Sequence, residues 1–189
     1  MLLHTPTLIF ATLFVCAGLA VPLVYIGFRR RPELLLWAAA LGLVGLAFGL
    51  LGLRGRIDSL VSVTGGNVAL SVGAALFCEG LYRFQGRRPP RPLLWVPVLV
   101  GLVGFTALRG DSEWELEARL HLSSLVVGVQ CAVLAIVGWQ GRRETVGRGQ
   151  YILVAGALVV LGVMLFRIVA LLTGAVRATS IVDSTPMQL

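Results

Sequence analysis

Long apolar stretches alternate with short polar segments along the whole chain. Six stretches are long enough to cross a bilayer as helices, which takes about 20 residues: residues 7–28, 35–53, 60–82, 93–108, 120–139 and 151–172. Strands are not indicated. We therefore expect an all-α integral membrane protein in which residues 1–189 form one bundle of six transmembrane helices.

The composition agrees with this pattern and removes several chemistries. Of the 189 residues, 57% are hydrophobic and only 13% are charged, which is unlike a soluble domain. All 16 basic residues are arginine, and 9 acidic residues leave a net charge of +7. Without lysine the chain cannot form a Schiff base with retinal or pyridoxal phosphate. Cys16, Cys78 and Cys131 lie in separate apolar stretches, so neither a disulfide framework nor a thiolate metal site is indicated.

Arginine is distributed unevenly between the two sides of the predicted bundle. The first, third and fifth loops hold ten arginines, namely Arg29, Arg30, Arg31, Arg83, Arg87, Arg88, Arg91, Arg142, Arg143 and Arg148. The second and fourth loops and the C-terminal segment hold five, namely Arg54, Arg56, Arg109, Arg119 and Arg177. Because cytoplasmic loops retain positive charge, we expect a multi-pass membrane protein with its N-terminus outside.

Three further features bear on topology. The first helix has no basic residue before it, unlike a cleaved signal peptide, so we expect it to remain as an anchor. The fourth loop is expected to be solvated, because it contains the acidic residues Asp111, Glu113, Glu115 and Glu117. Six helices place the C-terminus outside, and Pro186 is typical of the start of a helix, so a seventh helix is expected beyond it.

Polar side chains inside the predicted helices are the candidates for function. An ionisable group in hydrocarbon costs about 2.5–3.5 kcal/mol on insertion scales and normally faces a partner or a cavity. Arg167 lies in the sixth helix, about one and a half turns from its outer end. Three roles are open for Arg167: it can face a ligand, form an internal ion pair or extend its guanidinium to the membrane–water interface.

Three other polar residues accompany Arg167. Asn67 in the third helix and His121 at the start of the fifth lie at the same outer level, and Gln130 lies midway along the fifth. We predict that Arg167, Asn67, His121 and Gln130 bind a small anionic or strongly hydrogen-bonding ligand, such as a lipid-like molecule, near the outer leaflet. For Asn67 and Gln130 the alternative is hydrogen bonding between helices.

Two other patterns predict packing. Glu79 precedes Arg83 by four residues, a spacing that allows an ion pair on one helix face. Small residues recur in the second helix at Gly42, Gly45, Gly49 and Gly52. Such a stripe permits close approach of two helices, either inside the bundle or between two protomers.

Recognisable enzyme motifs are absent from the sequence, which has no G-x-S-x-G or H-E-x-x-H pattern and only two histidines, His4 and His121. A haem held by both is not favoured, because His4 precedes the first helix, whereas haem ligands are usually carried on helices. We expect no catalytic activity in this chain, no cofactor, no metal and no nucleic-acid partner.

Two segments of the third helix resemble a known family. The sequence is GNVAL at residues 66–70 and EGLYRFQGR at residues 79–87. Together with RRRP at residues 29–32 and the arginine in the sixth helix, these segments resemble the N-terminal membrane sensor regions of bacterial diguanylate cyclases, which carry a GGDEF output domain. The chain itself contains no GGDEF sequence.

This resemblance implies a function. The chain is expected to be a sensory or receptor domain of the bacterial inner membrane that binds a ligand and regulates, in cis, a cytoplasmic enzyme that makes cyclic di-GMP. It also implies a homodimer, because the output domains of the family act as dimers. The alternatives from other classes are a small transporter or channel, which usually carries several carboxylates inside the membrane, and a membrane enzyme or haem protein.

Overall fold

The computed structural model describes residues 5–108, 110, 112–141 and 149–173. These residues form helices and short connections, with no strand among them, so the predicted all-α architecture is confirmed. The helices are α1 (Thr5–Arg29), α2 (Glu33–Gly52), a π turn (Leu60–Gly65) that continues directly into α3 (Gly66–Phe84), α4 (Arg91–Ala107), α5 (Glu113–Gln140) and α6 (Gly149–Leu172).

Five helical segments of the described chain are long and apolar enough to cross a membrane: Ala11–Arg29, Glu33–Gly52, Leu60–Phe84, Glu113–Gln140 and Tyr151–Leu172. The remaining helix, α4, is apolar but has only 17 residues. A crossing takes about 20. The structure therefore supports a membrane protein with five clear candidate spans and one shorter apolar helix.

The start of α5 differs from the prediction. The helix begins at Glu113 and not near residue 120, so Glu113, Glu115 and Glu117 are helical and do not form a loop. Ser112 is extended and donates its hydroxyl proton to the Glu115 carboxylate, which also accepts the Gly110 N–H at 3.1 Å. Serine followed three residues later by glutamate is the signature of a helix start, and the N-terminal dipole favours carboxylates in the first turn.

The helices pack in chain order around α3 and α5. The α1 helix packs on α2, α2 on α3, and α3 on both α4 and α5, while α5 also contacts α4 and α6. In the apolar window of the α3 segment 44% of the residues are buried, whereas in those of α1 and α6 only 11% are. Most of the surface of α1 and α6 is thus left uncovered by the rest of the described chain.

The glycine stripe of α2 faces α1. A Cβ atom on Gly45 would lie 3.5 Å from the Cys16 Cβ, and one on Gly52 would lie 2.8 Å from the Ile9 Cδ1. Gly42 has no such neighbour within 4 Å. Of the two roles open for the stripe, packing inside the bundle is therefore the one found in the structure.

A glycine of α3, Gly80, allows this helix to approach α2 closely. A Cβ atom on Gly80 would lie only 2.5 Å from the Trp37 Nε1. The same indole nitrogen donates to the Phe77 carbonyl at 3.2 Å, and the ring lies 5.5 Å from the ring of Phe84. Gly80 therefore makes the space in which Trp37 joins the two helices.

The connections define two ends of the bundle. The Arg-rich end carries the α1–α2 and α3–α4 connections, and the Arg-poor end carries the segment between α2 and the π turn and the α4–α5 connection. At the Arg-rich end the chain leaves α3 through Gly86, whose φ of +68° favours glycine. His4, three arginines of the predicted fifth loop and the seventh helix expected after Pro186 fall outside the described residues.

Candidate functional site

Asn67 fastens the π turn to α5. Its side-chain nitrogen donates to the Val63 carbonyl at 2.8 Å, and its side-chain oxygen accepts the Ser123 hydroxyl at 3.1 Å. A π turn holds one residue more than an α-helical turn, and such turns often occur at functional sites. Both ends of the Asn67 amide are therefore used to hold this irregular turn against its neighbour.

Gln130 lies deeper in the same α3–α5 interface. Its side-chain nitrogen donates to the Ser71 carbonyl at 2.8 Å, and the residue is only 3% exposed. The Gln130 Oε1 and the Ser71 Oγ are both buried without a partner in the described chain. Buried polar atoms of this kind normally bind ordered water. The α3–α5 interface is thus a polar seam inside an apolar bundle.

A polar recess opens at the Arg-poor end, beside the π turn. Its volume is about 270 Å³. The lining residues come from the segment that enters the π turn, the end of α4 and the start of α5, and they are Asp58, Ser59, Leu60, Thr64, Phe105, Leu108 and Arg119. The recess therefore joins three elements and contains one carboxylate and one guanidinium.

Arg119 is the buried cation of the polar recess. The residue is 8% exposed, and its Nη2 donates to the Gly110 carbonyl at 2.7 Å, while its Nε lies 3.4 Å from the Glu115 carbonyl. Both acceptors are backbone groups, so no carboxylate neutralises the guanidinium by direct contact in the described chain. The Nη1 group has no protein partner there, yet it is not among the fully buried atoms.

Asp58 and Thr64 complete the polar wall. The Asp58 Oδ1 accepts the Leu60 N–H at 2.7 Å, which fixes the carboxylate at the start of the π turn. Thr64 donates its hydroxyl proton to the Phe105 carbonyl at 3.3 Å and so ties the π turn to α4. The recess is thus held by one local hydrogen bond at the start of the π turn and by one from the π turn to α4.

An apolar groove lies next to the polar recess. It has a volume of about 520 Å³ and runs over α5 between α4 and α6, lined by Gly104, Leu108, Ala118, His121, Leu122, Leu125 and Ile168. Leu108 belongs to both linings. The groove and the recess thus adjoin at one side chain, and His121 is the one residue with a polar side chain in the groove.

Arg167 lies on α6 directly before Ile168, which lines the apolar groove. It is partly buried. Its side chain has no hydrogen bond or ion pair with another residue of the described chain. The internal ion pair, one of the three roles open for Arg167, is therefore not formed there.

The four residues predicted to bind a ligand are divided among three places. His121 lines the apolar groove, and Arg167 directly precedes Ile168, another residue of that lining. Asn67 bonds to Ser123, two residues after His121 on the same helix. Gln130 lies further along α5 and bonds to α3. The hydrogen bonds between helices that were the alternative for Asn67 and Gln130 are present.

The opposite, Arg-rich end holds a charged cluster. Arg83 contacts the Glu79 carboxylate at 2.5 Å, and Arg91 at the start of α4 contacts the same oxygen at 3.4 Å. The Glu79 side chain is only 7% exposed, whereas those of Arg83 and Arg91 are 42% and 65% exposed. The predicted pair within one helix is confirmed, and the contact with α4 is an addition to it.

Three residues of the polar recess were missed by sequence reasoning. Asp58, Thr64 and Arg119 were assigned to loops or to an ordinary apolar stretch, and only Arg119 carried a detectable signal. Ser112 and Glu115 mark the start of a helix seven residues before Arg119. That start places Arg119 in the second turn of α5, on a helix and not in a loop.

No group of three or more histidine, cysteine, aspartate or glutamate side chains suited to a metal ion occurs among the described residues. Comparison of the chain with protein-family models, with curated proteins and with solved structures finds no match.

Proposed function

We propose that this chain is a sensory module of the bacterial inner membrane. It binds a small ligand at the outer, Arg-poor end and regulates a cytoplasmic diguanylate cyclase in cis. The ligand-binding end is supported by a recess with a partly unpartnered arginine beside an apolar groove. The nature of the output rests on the resemblance of residues 66–70 and 79–87 to sensor regions of that family.

The proposal includes six spanning helices with the N-terminus outside. The α4 helix is about 26 Å long at 1.5 Å per residue, a few ångströms short of the roughly 30 Å hydrocarbon core. Local thinning of the bilayer at modest cost accommodates such a mismatch. At the Arg-rich end, Arg29 and Arg87 lie over the rings of Tyr25 and Tyr82 at 4.9 and 5.4 Å. Arginine and tyrosine side by side suit a cytoplasmic interface.

We expect labelling to separate the two ends. In a variant whose three native cysteines are alanine, a cysteine at Ser112 should react with a membrane-impermeant thiol reagent added to intact cells. A cysteine at Arg88 should react only after the membrane is opened. Both positions are exposed, so burial does not explain a difference between them. The reverse pattern contradicts the proposed orientation.

The observation that carries the sensory proposal is the continuity of the segment Leu60–Phe84. Its first six residues form the π turn and line part of the polar recess. Its last turns carry Glu79 and Arg83, which contact α4 through Arg91. A ligand in the recess therefore touches one end of a helix whose other end holds the charged cluster at the cytoplasmic face.

In the proposed mechanism the π turn switches this helix between two states. Conversion of a π turn to an α-helical turn moves one residue out of the turn and so rotates and shifts the helix that follows it. A ligand that binds one state better than the other moves the equilibrium by its difference in affinity. Asn67 and Ser123 would hold the π state, because their hydrogen bonds stabilise the Val63 carbonyl at its end.

The cellular level of cyclic di-GMP, measured in cells that make the whole native protein, tests the proposal. Production of the wild-type protein should change the cellular level of cyclic di-GMP, and Asn67→Ala should change that level by about fivefold or more relative to the wild type, the range of typical allosteric couplings. The matched control is Thr106→Ala, because Thr106 bonds only to carbonyls of its own helix. No effect of the wild-type protein, or equal effects of both variants, contradicts the proposal.

A small transporter or channel is the second candidate, and one observation favours it. The Ser71 Oγ, the Gln130 Oε1 and the Gln85 Oε1 are buried without a partner in the described chain. The first two atoms lie at one depth, because the Gln130 side-chain nitrogen donates to the Ser71 carbonyl, and the third lies at the C-terminal end of α3. Waters bound at these two places are the candidates for a hydrated path. Proton or ion flux into proteoliposomes favours this function, and a chain that binds ligand without flux favours the sensor.

The homodimer is part of the proposal, since the resemblance implies it. The glycine stripe does not supply its interface, because that stripe packs against α1. The faces of α1 and α6 that are left uncovered are the surfaces available to a second protomer.

A further inference from the structure

We infer that the ligand is a single-chain amphiphile with a zwitterionic headgroup that carries a phosphate and an ammonium, as in phosphoethanolamine lipids. The polar recess takes the headgroup and the apolar groove takes the chain. The inference rests on the proposed receptor function, because it names the class of ligand that this end of the bundle binds.

The two volumes suit the two parts of such a molecule. The polar recess, at about 270 Å³, is about half the size of the apolar groove, which suits a small headgroup. The apolar groove, at about 520 Å³, is within the usual range of ligand sites, about 300–1,000 Å³. Because both linings include Leu108, one molecule can lie across this side chain and fill both.

The charges of the polar recess favour a zwitterion. Arg119 and Asp58 line the same recess but do not form an ion pair with each other. A phosphate pairs with a guanidinium through charge-assisted hydrogen bonds, and the Nη1 group of Arg119 has no protein partner in the described chain. A purely anionic headgroup would also meet the Asp58 carboxylate, which lines the same recess, and such like-charge contact disfavours the wrong ligand.

The remaining oxygen of Asp58 suits the ammonium. The Oδ1 is occupied by the Leu60 N–H at 2.7 Å, but a carboxylate offers about four acceptor positions in total. Asp58 is exposed, so a headgroup can reach it from the outer surface. An ammonium with three N–H donors bonds better here than a quaternary ammonium, which has none.

The apolar lining of the groove favours a ligand with an apolar chain. His121 is the one lining residue with a polar side chain, and the others are glycine, alanine, leucine or isoleucine. Burial of apolar surface contributes about 25 cal/mol per Å², so a chain in the groove should add affinity to the headgroup. A soluble headgroup without a chain is therefore expected to bind much more weakly than the intact amphiphile.

Binding by the purified full chain tests this inference, with thermal shift and native mass spectrometry as readouts. The probes are lysophosphatidylethanolamine, lysophosphatidylcholine, lysophosphatidylglycerol and free phosphoethanolamine. We expect the first to bind tightest and the last weakest. Tighter binding of lysophosphatidylglycerol overturns the zwitterionic headgroup, and equal binding of free phosphoethanolamine overturns the role of the groove.

Three variants locate the site. Arg119→Gln should weaken lysophosphatidylethanolamine binding by about tenfold or more, as expected for a lost charge-assisted hydrogen bond. Asp58→Asn keeps an acceptor for the Leu60 N–H but should reduce the preference for lysophosphatidylethanolamine over lysophosphatidylglycerol. Ala118→Phe should fill the groove, and its control is Ala155→Phe on an exposed face of α6.

The outcomes separate this inference from the receptor proposal. If Arg119→Gln does not fold, the preference measured with Asp58→Asn decides the headgroup, because Asp58 is exposed and its change should not unfold the chain. Unchanged affinity in all three variants overturns the site. Binding as expected without any effect on cyclic di-GMP contradicts the proposed output alone and leaves the ligand class standing.

Discussion

A chain in which Arg83 and Arg91 are both glutamine is expected to lose about 3–5 kcal/mol of unfolding free energy, the usual cost of leaving a buried charge without its partner. The Glu79 side chain is 7% exposed and accepts from both arginines. Without them its carboxylate has no cation within reach in the described chain. Reversible unfolding in increasing dodecyl sulfate, in mixed micelles, measures the loss.

The reverse change should cost much less. In Glu79→Gln the two arginines stay charged, but they are 42% and 65% exposed and can turn to water or to lipid phosphate. Exposed ion pairs contribute only about 0–1 kcal/mol, so little stability is lost with the pair itself. Arg30 and Arg88, both exposed, provide the control, since Arg30→Gln with Arg88→Gln removes the same charge from the same end. An equal loss in this control and in the Arg83 and Arg91 variant would show that net charge, and not the buried carboxylate, sets the stability.

Gly80→Ala is expected to destabilise the chain, although alanine is the better helix former. A Cβ atom at this position would lie 2.5 Å from the Trp37 Nε1, so the indole ring must move. Overpacking of this kind costs about 1–3 kcal/mol, and loss of the Trp37 hydrogen bond to the Phe77 carbonyl adds about 1 kcal/mol. Unfolding in dodecyl sulfate and the fluorescence of tryptophan should both report the change.

Gly156→Ala is the matched control, and its effect should have the opposite sign. Gly156 lies in α6 with nothing within 4 Å of an added Cβ. In such open helical positions alanine stabilises by about 0.4–1 kcal/mol, because it restricts the unfolded chain. A loss of stability in both variants would show that glycine is required for another reason than the Trp37 contact.

Much of the fold could be predicted because it depends on local sequence. Helix positions follow from apolar runs of about 20 residues, and the Glu79–Arg83 pair follows from a spacing of four on one helix. The helix start at Ser112 was also readable from Ser112 and Glu115, but the predicted boundary near residue 120 was wrong, because the acidic residues were assigned to a solvated loop. Local patterns of this kind need no knowledge of which helices are neighbours.

The candidate site depended on contacts that no local pattern specifies. The Asn67 bond to Ser123 joins residues 56 positions apart, and the Gln130 bond to Ser71 joins residues 59 positions apart. Polar residues at one membrane depth can be identified from sequence, but which of them meet depends on how each helix is rotated about its axis. In an apolar solvent nearly every face of these helices is apolar, so the pattern carries little information about that rotation.

The sequence by itself determined that the chain is helical, apolar and arginine-rich at one set of loops, because length, hydropathy and charge are properties of each segment alone. Only the tertiary structure decided that the glycine stripe faces α1, that the π turn bonds to α4 and that Asn67 of α3 bonds to α5. It also decided that Arg119 and Asp58 share a recess. These facts follow from close packing of particular side chains, which the apolar periodicity of any single helix does not encode.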